Sequence, residues 1–257
     1  MSHFEFNGRR SDDLQLRIEK YPDIPIARKR MTAIVVPGMD GALHQSDGTY
    51  EPVPVRYKCW FKPNPENPRE ALADRAHIIA EWLGTAPAGA ELLDSYDPTI
   101  YHRATYVGGA EIRNIVGRYG RFDVEFSCDP RAYLMTGRDW PVEPGAPISL
   151  VNSTGHYAKP LVTVTCAESG SIELRARSGE NIAKTYTIDI NFPDHLPHTF
   201  TFDAEIGESW GLVNGVLQSF NRWLTVPELP QIHPGTNEVE VSGGITAATV
   251  DARWWTL

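Results

Sequence analysis

The sequence predicts a mostly β fold with one helix, arranged as two domains. Short apolar stretches with strand-like alternation recur along the 257 residues, and one stretch has helical spacing. The 20 prolines and 21 glycines indicate many short elements joined by tight turns. The length accommodates one large or two modest domains, because a domain usually holds roughly 100–200 residues.

The clearest strand spans residues 55–62, where apolar and polar side chains alternate. The apolar face carries Val55, Tyr57, Cys59 and Phe61. The opposite face carries Arg56, Lys58, Trp60 and Lys62. Two interpretations of this cationic face stay open: a solvated sheet face with one exposed tryptophan, or a subunit contact, since aromatic side chains are enriched where proteins meet.

Turn signals shape the rest of the first domain. Asn7-Gly8 predicts a tight turn, and the closely spaced pairs Asp40-Gly41 and Asp47-Gly48 predict a projecting arm. A helix is predicted from Arg69 to Leu83, opened by Pro68 and stopped by Gly84. Its predicted inward residues are Leu72, Ala76, Ile79, Ala80 and Leu83. Further strands are predicted at residues 100–107 and 121–128, so that one helix packs on a small sheet.

A proline- and glycine-rich stretch separates the two halves of the chain. Residues 134–147 have the composition of a stiff connector with little to bury. Beyond it, strands are predicted at 161–166, 171–177, 186–192, 199–204, 211–218 and 237–242, with Asn214-Gly215 as a strong hairpin signal. Short strands without helical pattern predict a sandwich or jelly roll for this second domain.

Composition and motifs argue against several classes of function. The formal net charge of −9 disfavours nucleic-acid binding, and we expect no membrane insertion and no export signal, which indicates synthesis in a cytoplasm. The three cysteines are expected to be buried free thiols. No nucleophile, metal-cage or phosphate-loop motif is present, so we expect no enzyme, no catalytic residues, no cofactor and no metal.

Two local features offer weaker alternatives. His195 and His198 beside Asp194 resemble a metal site, but Pro197 between them and the missing third ligand favour a polar loop. The tryptophans Trp140, Trp210 and Trp223 are candidates for sugar contacts, because exposed aromatic rings stack on sugar faces and jelly rolls often bind carbohydrate. Filling of the sandwich core is the competing interpretation.

Several short blocks, in order and at characteristic spacing, carry a resemblance to a known family. They are Phe4-Glu5-Phe6-Asn7-Gly8, Ser11-Asp12-Asp13-Leu14, Pro37-Gly38-Met39-Asp40-Gly41, Gly48-Thr49-Tyr50, the set Phe126, Cys128, Pro130 and Tyr133, and then Pro227-Glu228-Leu229, Pro234-Gly235-Thr236-Asn237 and Arg253-Trp254. In these blocks the chain resembles the distal tail (Dit) proteins of long, non-contractile-tailed bacteriophages. Met39 stands where that family has arginine.

The resemblance implies a structural protein of the virion tail tip, assembled in the bacterial host cytoplasm from phage or prophage genes. It implies a homohexameric ring built from residues 1–133 together with a returning strand at 250–257. Residues 148–249 would form a galectin-like β-sandwich that projects outward. The implied partners are further copies of the chain, the major tail tube protein, a tail-associated tip protein and a receptor-binding protein.

The resemblance and the residues together nominate candidate surfaces. The expected subunit interface comprises Asp40, Gly41, Tyr50, Arg56, Lys58, Trp60 and Lys62. The alternative function is a carbohydrate-binding sandwich acting in host-surface adhesion, with Trp210 and Trp223 as sugar contacts. The chain departs from galectins after Trp210-Gly211, where Leu212-Val213 follow in place of the acidic residue of the galectin element.

Overall fold

The computed structural model describes residues 2–23, 26–63, 67, 71–109, 113–115, 119–192 and 197–257. Contacts divide the chain into two compact units, Met1–Ala132 with Leu257, and Tyr133–Thr256. Strands dominate both units, so the prediction of a mostly β fold with one helix is confirmed for the described residues. No described helix has the length and apolar character that a bilayer span requires.

The first unit contains a curled sheet, a separate two-stranded hairpin and, among its described residues, one α-helix. They are β1 (Phe4–Phe6), β2 (Arg9–Arg10), β3 (Leu16–Lys20), β4 (Lys29–Ile34), β5 (Leu43–Tyr50), β6 (Val53–Phe61), α1 (Leu72–Thr85), β7 (Ala90–Asp94), β8 (Asp97–Gly109), β9 (Arg113–Ile115) and β10 (Tyr119–Leu134). The strand order is β2-β1-β7-β8-β10-β6-β3, with β9 also paired to β10.

An aromatic cluster forms the centre of the first unit's core. The Phe4 ring stacks on Tyr57 with centroids 4.8 Å apart and on Trp82 at 5.7 Å. The indole Nε1 of Trp82 donates a hydrogen bond to the Phe6 carbonyl at 3.2 Å, which ties α1 to β1. Asn7 and Gly8, both with positive φ, turn the chain directly after β1, as the sequence predicts.

The helix differs from its prediction at both ends and on one face. It begins at Leu72, where Asp74 accepts a hydrogen bond from the Ala71 amide, while Pro68 and Arg69 lie outside the described residues. Gly84 lies inside the helix, which ends at Thr85. Ala80 is exposed, because it lies outside the buried face of the helix, which is formed by Leu72, Arg75, Ile79, Trp82 and Leu83.

The second unit consists of ten described strands, the last of which pairs outside its main sheet. They are β11 (Trp140–Val142), β12 (Ile148–Asn152), β13 (Leu161–Ser178), β14 (Asn181–Ile190), β15 (His198–Asp203), β16 (Glu208–Val213), β17 (Val216–Ser219), β18 (Leu224–Thr225), β19 (Gly235–Asp251) and β20 (Trp255–Thr256). The order is β11-β19-β13-β15-β16-β17, with β12 on β19 and β14 between β13 and β18.

The long strands β13 and β19 pair with each other and run through both halves of this sheet. The first part of β13 pairs with β15, and its second part pairs with β14. Val164 and Leu174, from the two parts, belong to the same buried cluster, so the sheet folds over itself as a sandwich. The sequence pattern predicts two separate strands here, because polar residues interrupt the alternation between Cys166 and Gly170, whereas β13 runs through both parts.

Two short strands lie where the sequence predicts a connector and a returning segment. Residues 140–142, inside the predicted connector 134–147, form β11, because Val142 buries its side chain in the second core and Pro141 occupies an outer strand. The predicted returning segment is residues 250–257. Its first residue, Val250, lies in β19, and β20 pairs with β10. The last two residues of β10 belong to the second unit. The Leu134 amide donates to the Trp254 carbonyl at 2.8 Å.

Glycines permit the close crossing of β13 and β19 at the fold of the sheet. Gly243 has φ +72°, and a Cβ there would lie 2.6 Å from the Ser169 carbonyl oxygen and 2.7 Å from the Gly170 Cα. A Cβ on Gly170 would lie 2.8 Å from the Ser242 carbonyl oxygen. Backbone atoms on both sides therefore leave no room for a side chain at this crossing.

We expect Gly243→Ala to destabilise the second unit more than Gly179→Ala. Both glycines have positive φ, which costs an alanine about 1–2 kcal/mol, but only Gly243 faces backbone atoms that a methyl group would overlap. Overpacking adds about 1–3 kcal/mol to the loss at Gly243. Urea denaturation measures both free energies of unfolding, and equal losses in the two variants would contradict the crowded crossing.

The hairpin β4–β5 stands apart from both cores. It forms a two-stranded sheet of its own among the described residues, and every residue in its strands is exposed except the half-buried Tyr50. Its isolation matches the projecting arm predicted from the two Asp-Gly pairs.

We expect replacement of residues 31–48 by Gly-Gly-Ser-Gly to leave the first unit folded. The exposed hairpin contributes no side chain to the core, so the free energy of unfolding should change by no more than about 0.5 kcal/mol. Leu92→Ala, which removes a fully buried side chain, is the contrasting variant and should cost about 2–5 kcal/mol. Chemical denaturation followed by circular dichroism compares them, and a large loss on deleting the hairpin would show that it supports the core.

Candidate functional site

The described residues present no cluster of metal-ligating side chains. Groups of three or more His, Cys, Asp or Glu suited to a metal are absent from that part of the chain. Asp194 and His195 lie outside the described residues, and His198 packs against the Phe192 ring with centroids 4.6 Å apart. Cys59, Cys128 and Cys166 are free and buried, as the sequence predicts, and burial raises the pKa of each thiol.

The first candidate surface is the arm, defined as residues 28–51 with the hairpin β4–β5. Asp40 and Gly41 lie at its tip, where Gly41 adopts φ +85°, and both are exposed. Tyr50 lies at the base, opposite Lys29, next to the hydrogen bond from the Glu51 amide to the Arg28 carbonyl. The structure thus distributes the predicted arm residues over both ends of the hairpin.

The second Asp-Gly pair stiffens the arm near its base. The register between β4 and β5 shifts there, and Gly48 adopts φ +81°. The Asp47 carboxylate accepts hydrogen bonds from the Thr49 amide at 2.8 Å and the Thr49 hydroxyl at 2.6 Å, which lower the pKa of Asp47. Local bonds of this kind fix the bulge without help from a core.

Apolar side chains crowd the exposed arm. They are Met31, Ile34, Val35, Val36, Met39 and Leu43, with exposed fractions from 38% to 76%. An isolated two-stranded hairpin is marginally stable in water, and a contiguous apolar patch usually marks a contact surface. The turn residues alone predict the arm, and the apolar run at residues 33–36 is the sequence signal for its exposed apolar surface.

The second candidate surface is the outer face of β6. Val55, Tyr57 and Phe61 are buried, so the alternation predicted for this strand is confirmed. The side chains of Arg56, Lys58 and Lys62 are exposed and Trp60 is half-buried on the opposite face. Arg56 pairs with Glu125 of the neighbouring β10 at 2.7 Å, and that hydrogen bond raises the pKa of the guanidinium. Exposed pairs of this type stabilise a fold only weakly.

Trp60 lines an open groove. Its neighbours Glu19, Tyr119 and Arg121 line the groove with it, and the space measures about 490 Å³. Arg17 lies over the Trp60 ring, 5.7 Å from its centroid, and Lys62 lies 6.0 Å from it. Cations placed over an indole ring are attracted by its electron-rich face.

A cation and an acid complete the wall of this groove. Arg121 pairs with Glu19 at 2.7 Å, and its guanidinium lies 5.7 Å from the Tyr119 ring centroid. The alternation of residues 121–128 predicts an outward-facing Arg121 but does not predict that it lies beside Trp60. That proximity depends on the register in which Arg121 faces Trp60 across β10 and β6, which no local pattern shows.

The predicted sugar contacts occupy different settings in the second unit. Trp223 is half-buried against the core, 5.3 Å from the Phe220 ring, and the Arg222 guanidinium lies 3.9 Å from its ring centroid. Trp210 is half-buried in β16, directly opposite Thr201 of β15. Trp140 donates its indole hydrogen to the Thr136 carbonyl at 3.1 Å. The structure therefore does not bring the three tryptophans into one site.

Comparison with known proteins places the fold. No family model and no curated protein matches the sequence. Among solved structures, the crystal structure of the Dit protein (gp 19.1) of phage SPP1 matches with a TM-score of 0.62 at 13% identity, covering 98% of both chains. That protein is described as a paradigm of the hub adsorption apparatus in phages that infect Gram-positive bacteria.

Two structures of the phage P2 baseplate in its activated conformation match as well. The one with calcium gives a TM-score of 0.57 at 6% identity, and the one with strontium gives 0.59 at 7%, each covering 97% of both chains. Likeness at such low identity shows a common fold. Over nearly its whole length, this chain has the fold of the phage SPP1 Dit protein and of a phage P2 baseplate chain.

Proposed function

We propose that this chain is a non-enzymatic structural protein of a bacteriophage tail tip, whose copies close into a homohexameric ring. The observation that carries the proposal is the shared fold with a phage hub protein across 98% of the chain. The exposed apolar arm supports it independently, since such a surface suits a protein that is completed by neighbours. In a closed ring each copy offers one surface to the next and receives another.

The arm is the first surface that we assign to the ring. Its apolar residues gain roughly 25 cal/mol per Å² when they leave water, so burial against a neighbour supplies a driving force that the isolated chain lacks. Asp40 and Gly41 at the tip would reach the neighbouring copy, while Tyr50 would hold the base. Exposed strand edges on a two-stranded hairpin also pair readily with another chain.

The outer face of β6 is the second ring surface in this proposal. Arg56, Lys58 and Lys62 surround Trp60, so the face combines an aromatic anchor with cations, and this combination is enriched at protein interfaces. The Trp60 groove offers a recess for an inserted side chain from a neighbour. The exposed cations would orient the encounter and hold the correct register.

The remaining assignments follow from the family resemblance. Residues 1–133 with the returning segment 250–257 would build the ring, and residues 148–249 would form the outward galectin-like sandwich. The ring would join the major tail tube protein to a tail-associated tip protein, and the sandwich would dock a receptor-binding protein. The chain would be made in the cytoplasm of the bacterial host and end in the virion tail tip.

The alternative function is a carbohydrate-binding sandwich acting in host-surface adhesion. The two candidate tryptophans differ in how well they could contact a sugar. The Arg222 guanidinium covers the Trp223 ring, whereas Trp210 lies opposite Thr201 on the outer face of the sheet. An adhesin of this kind works as a monomer, so the state of association distinguishes it from the ring.

We expect the purified full chain to form a species of six copies with rising concentration. Light scattering coupled to size-exclusion chromatography, from micromolar to hundreds of micromolar protein, gives the mass, and negative-stain microscopy gives the symmetry. The variant lacking residues 31–48 should remain monomeric, and Trp60→Ala should shift assembly to higher concentration, because each loses an apolar anchor.

Trp210→Ala serves as the matched control, since it removes a half-buried tryptophan from the second unit and leaves the proposed ring surfaces intact. It should assemble as the unmodified chain does. A chain that stays monomeric throughout the series and shows no ring by microscopy would count against the proposal.

A further inference from the structure

One outer face of the second unit lacks charge over two adjacent rows of side chains. The first row crosses six neighbouring strands and comprises Pro141, Thr249, Thr163, Thr201, Trp210 and Ser219. The second row, two residues further along the strands, comprises Ala247, Thr165, Thr199, Leu212 and Leu217. Neither row contains a charged side chain, and the exposed Glu143, two residues after Pro141 and just beyond the end of β11, marks the border of the second row. We call these two rows the threonine face.

Hydroxyl groups on this face are held in place by one another. The hydroxyls of Thr163 and Thr201 lie 3.0 Å apart, and those of Thr165 and Thr199 lie 2.9 Å apart. Within each pair one hydroxyl donates to the other, so the second keeps its proton for another acceptor. Beside them Trp210 stands directly opposite Thr201 and extends the face with an aromatic ring.

The other outer face of the same unit has the opposite character. Arg175 pairs with Glu240 at 2.7 Å, and Arg177 pairs with Glu238 at 2.7 Å, across β13 and β19. Lack of charge is therefore a property of the threonine face and not of the unit as a whole. Charge begins again at its border, where Asp203 forms a two-bond ion pair with Arg253. Depletion of charge marks the centre of a contact surface.

The size and chemistry of the face indicate what covers it. Six strands at about 4.8 Å spacing and two rows along them give a patch on the order of 400 Å². A stable protein interface buries about 800 Å² on each partner, so the patch alone is too small for one. A ligand without charge that offers many hydroxyls and an apolar ring face matches what the surface presents.

We propose that the threonine face binds a neutral glycan, with Trp210 stacking on a sugar ring and the paired threonine hydroxyls exchanging hydrogen bonds with sugar hydroxyls. Trp223 lies outside this site. The site goes beyond the tail-tip role and does not depend on it, because the surface belongs to a single copy of the chain.

An array of immobilised neutral and anionic glycans, probed with the full chain, tests the site. We expect binding to neutral glycans, reduced by about tenfold or more in Trp210→Ala, the change that ~1.4 kcal/mol of lost interaction produces. The double variant Thr163→Val, Thr201→Val keeps the shape of the side chains and removes their hydroxyls, so it should also weaken binding. It tests the site independently if Trp210→Ala perturbs folding. Circular dichroism monitors the fold of each variant.

Thr187→Val is the matched control, because Thr187 lies opposite Glu173 in the pairing of β14 with β13, in the charged half of the sheet. It should bind as the unmodified chain does, as should Trp223→Ala. Absence of glycan binding by the unmodified chain, binding restricted to anionic glycans, or binding retained in both threonine-face variants would overturn the proposal. So would dimerisation of the chain that Trp210→Ala abolishes.

Discussion

Each of the two large sheets buries one face in a core, and this constraint decides which side chains remain free for contact. In β6 the burial of Val55, Tyr57 and Phe61 forces Arg56 and Trp60 to the outer surface. In β15 the burial of Phe200 and Phe202 does the same for Thr199 and Thr201. A shift of one residue would exchange the two faces and expose the core. Packing within each unit therefore fixes the positions of the candidate surfaces.

Local signals in the sequence were sufficient for the elements that depend on neighbouring residues. The hairpins at Asn7-Gly8 and Asn214-Gly215 form where predicted, because both residues of each pair adopt positive φ. The strand β11 was missed, since three residues containing a proline give no periodic signal. The single strand β13 was divided in two, because its continuity through residues 166–170 depends on pairing with β19, far along the chain.

The candidate surfaces were predictable to different degrees for the same reason. Alternation alone identified the cationic face of β6, and turn chemistry alone identified the arm. The groove beside Trp60 and the threonine face arise from register between strands that are distant in sequence. Thr163 and Thr201, for example, are separated by 38 positions and meet only because β13 and β15 pair. No pattern within either strand shows that their hydroxyls will be adjacent.

The three buried thiols have a practical consequence for studies of assembly. Cys59, Cys128 and Cys166 point into cores, where burial keeps them protonated and shielded from reagents. A cysteine introduced at the exposed tip of the arm would therefore be labelled selectively by a maleimide dye, with the native thiols left in place. Fluorescence transfer between labelled copies would then measure directly whether the arms of two copies come close to each other.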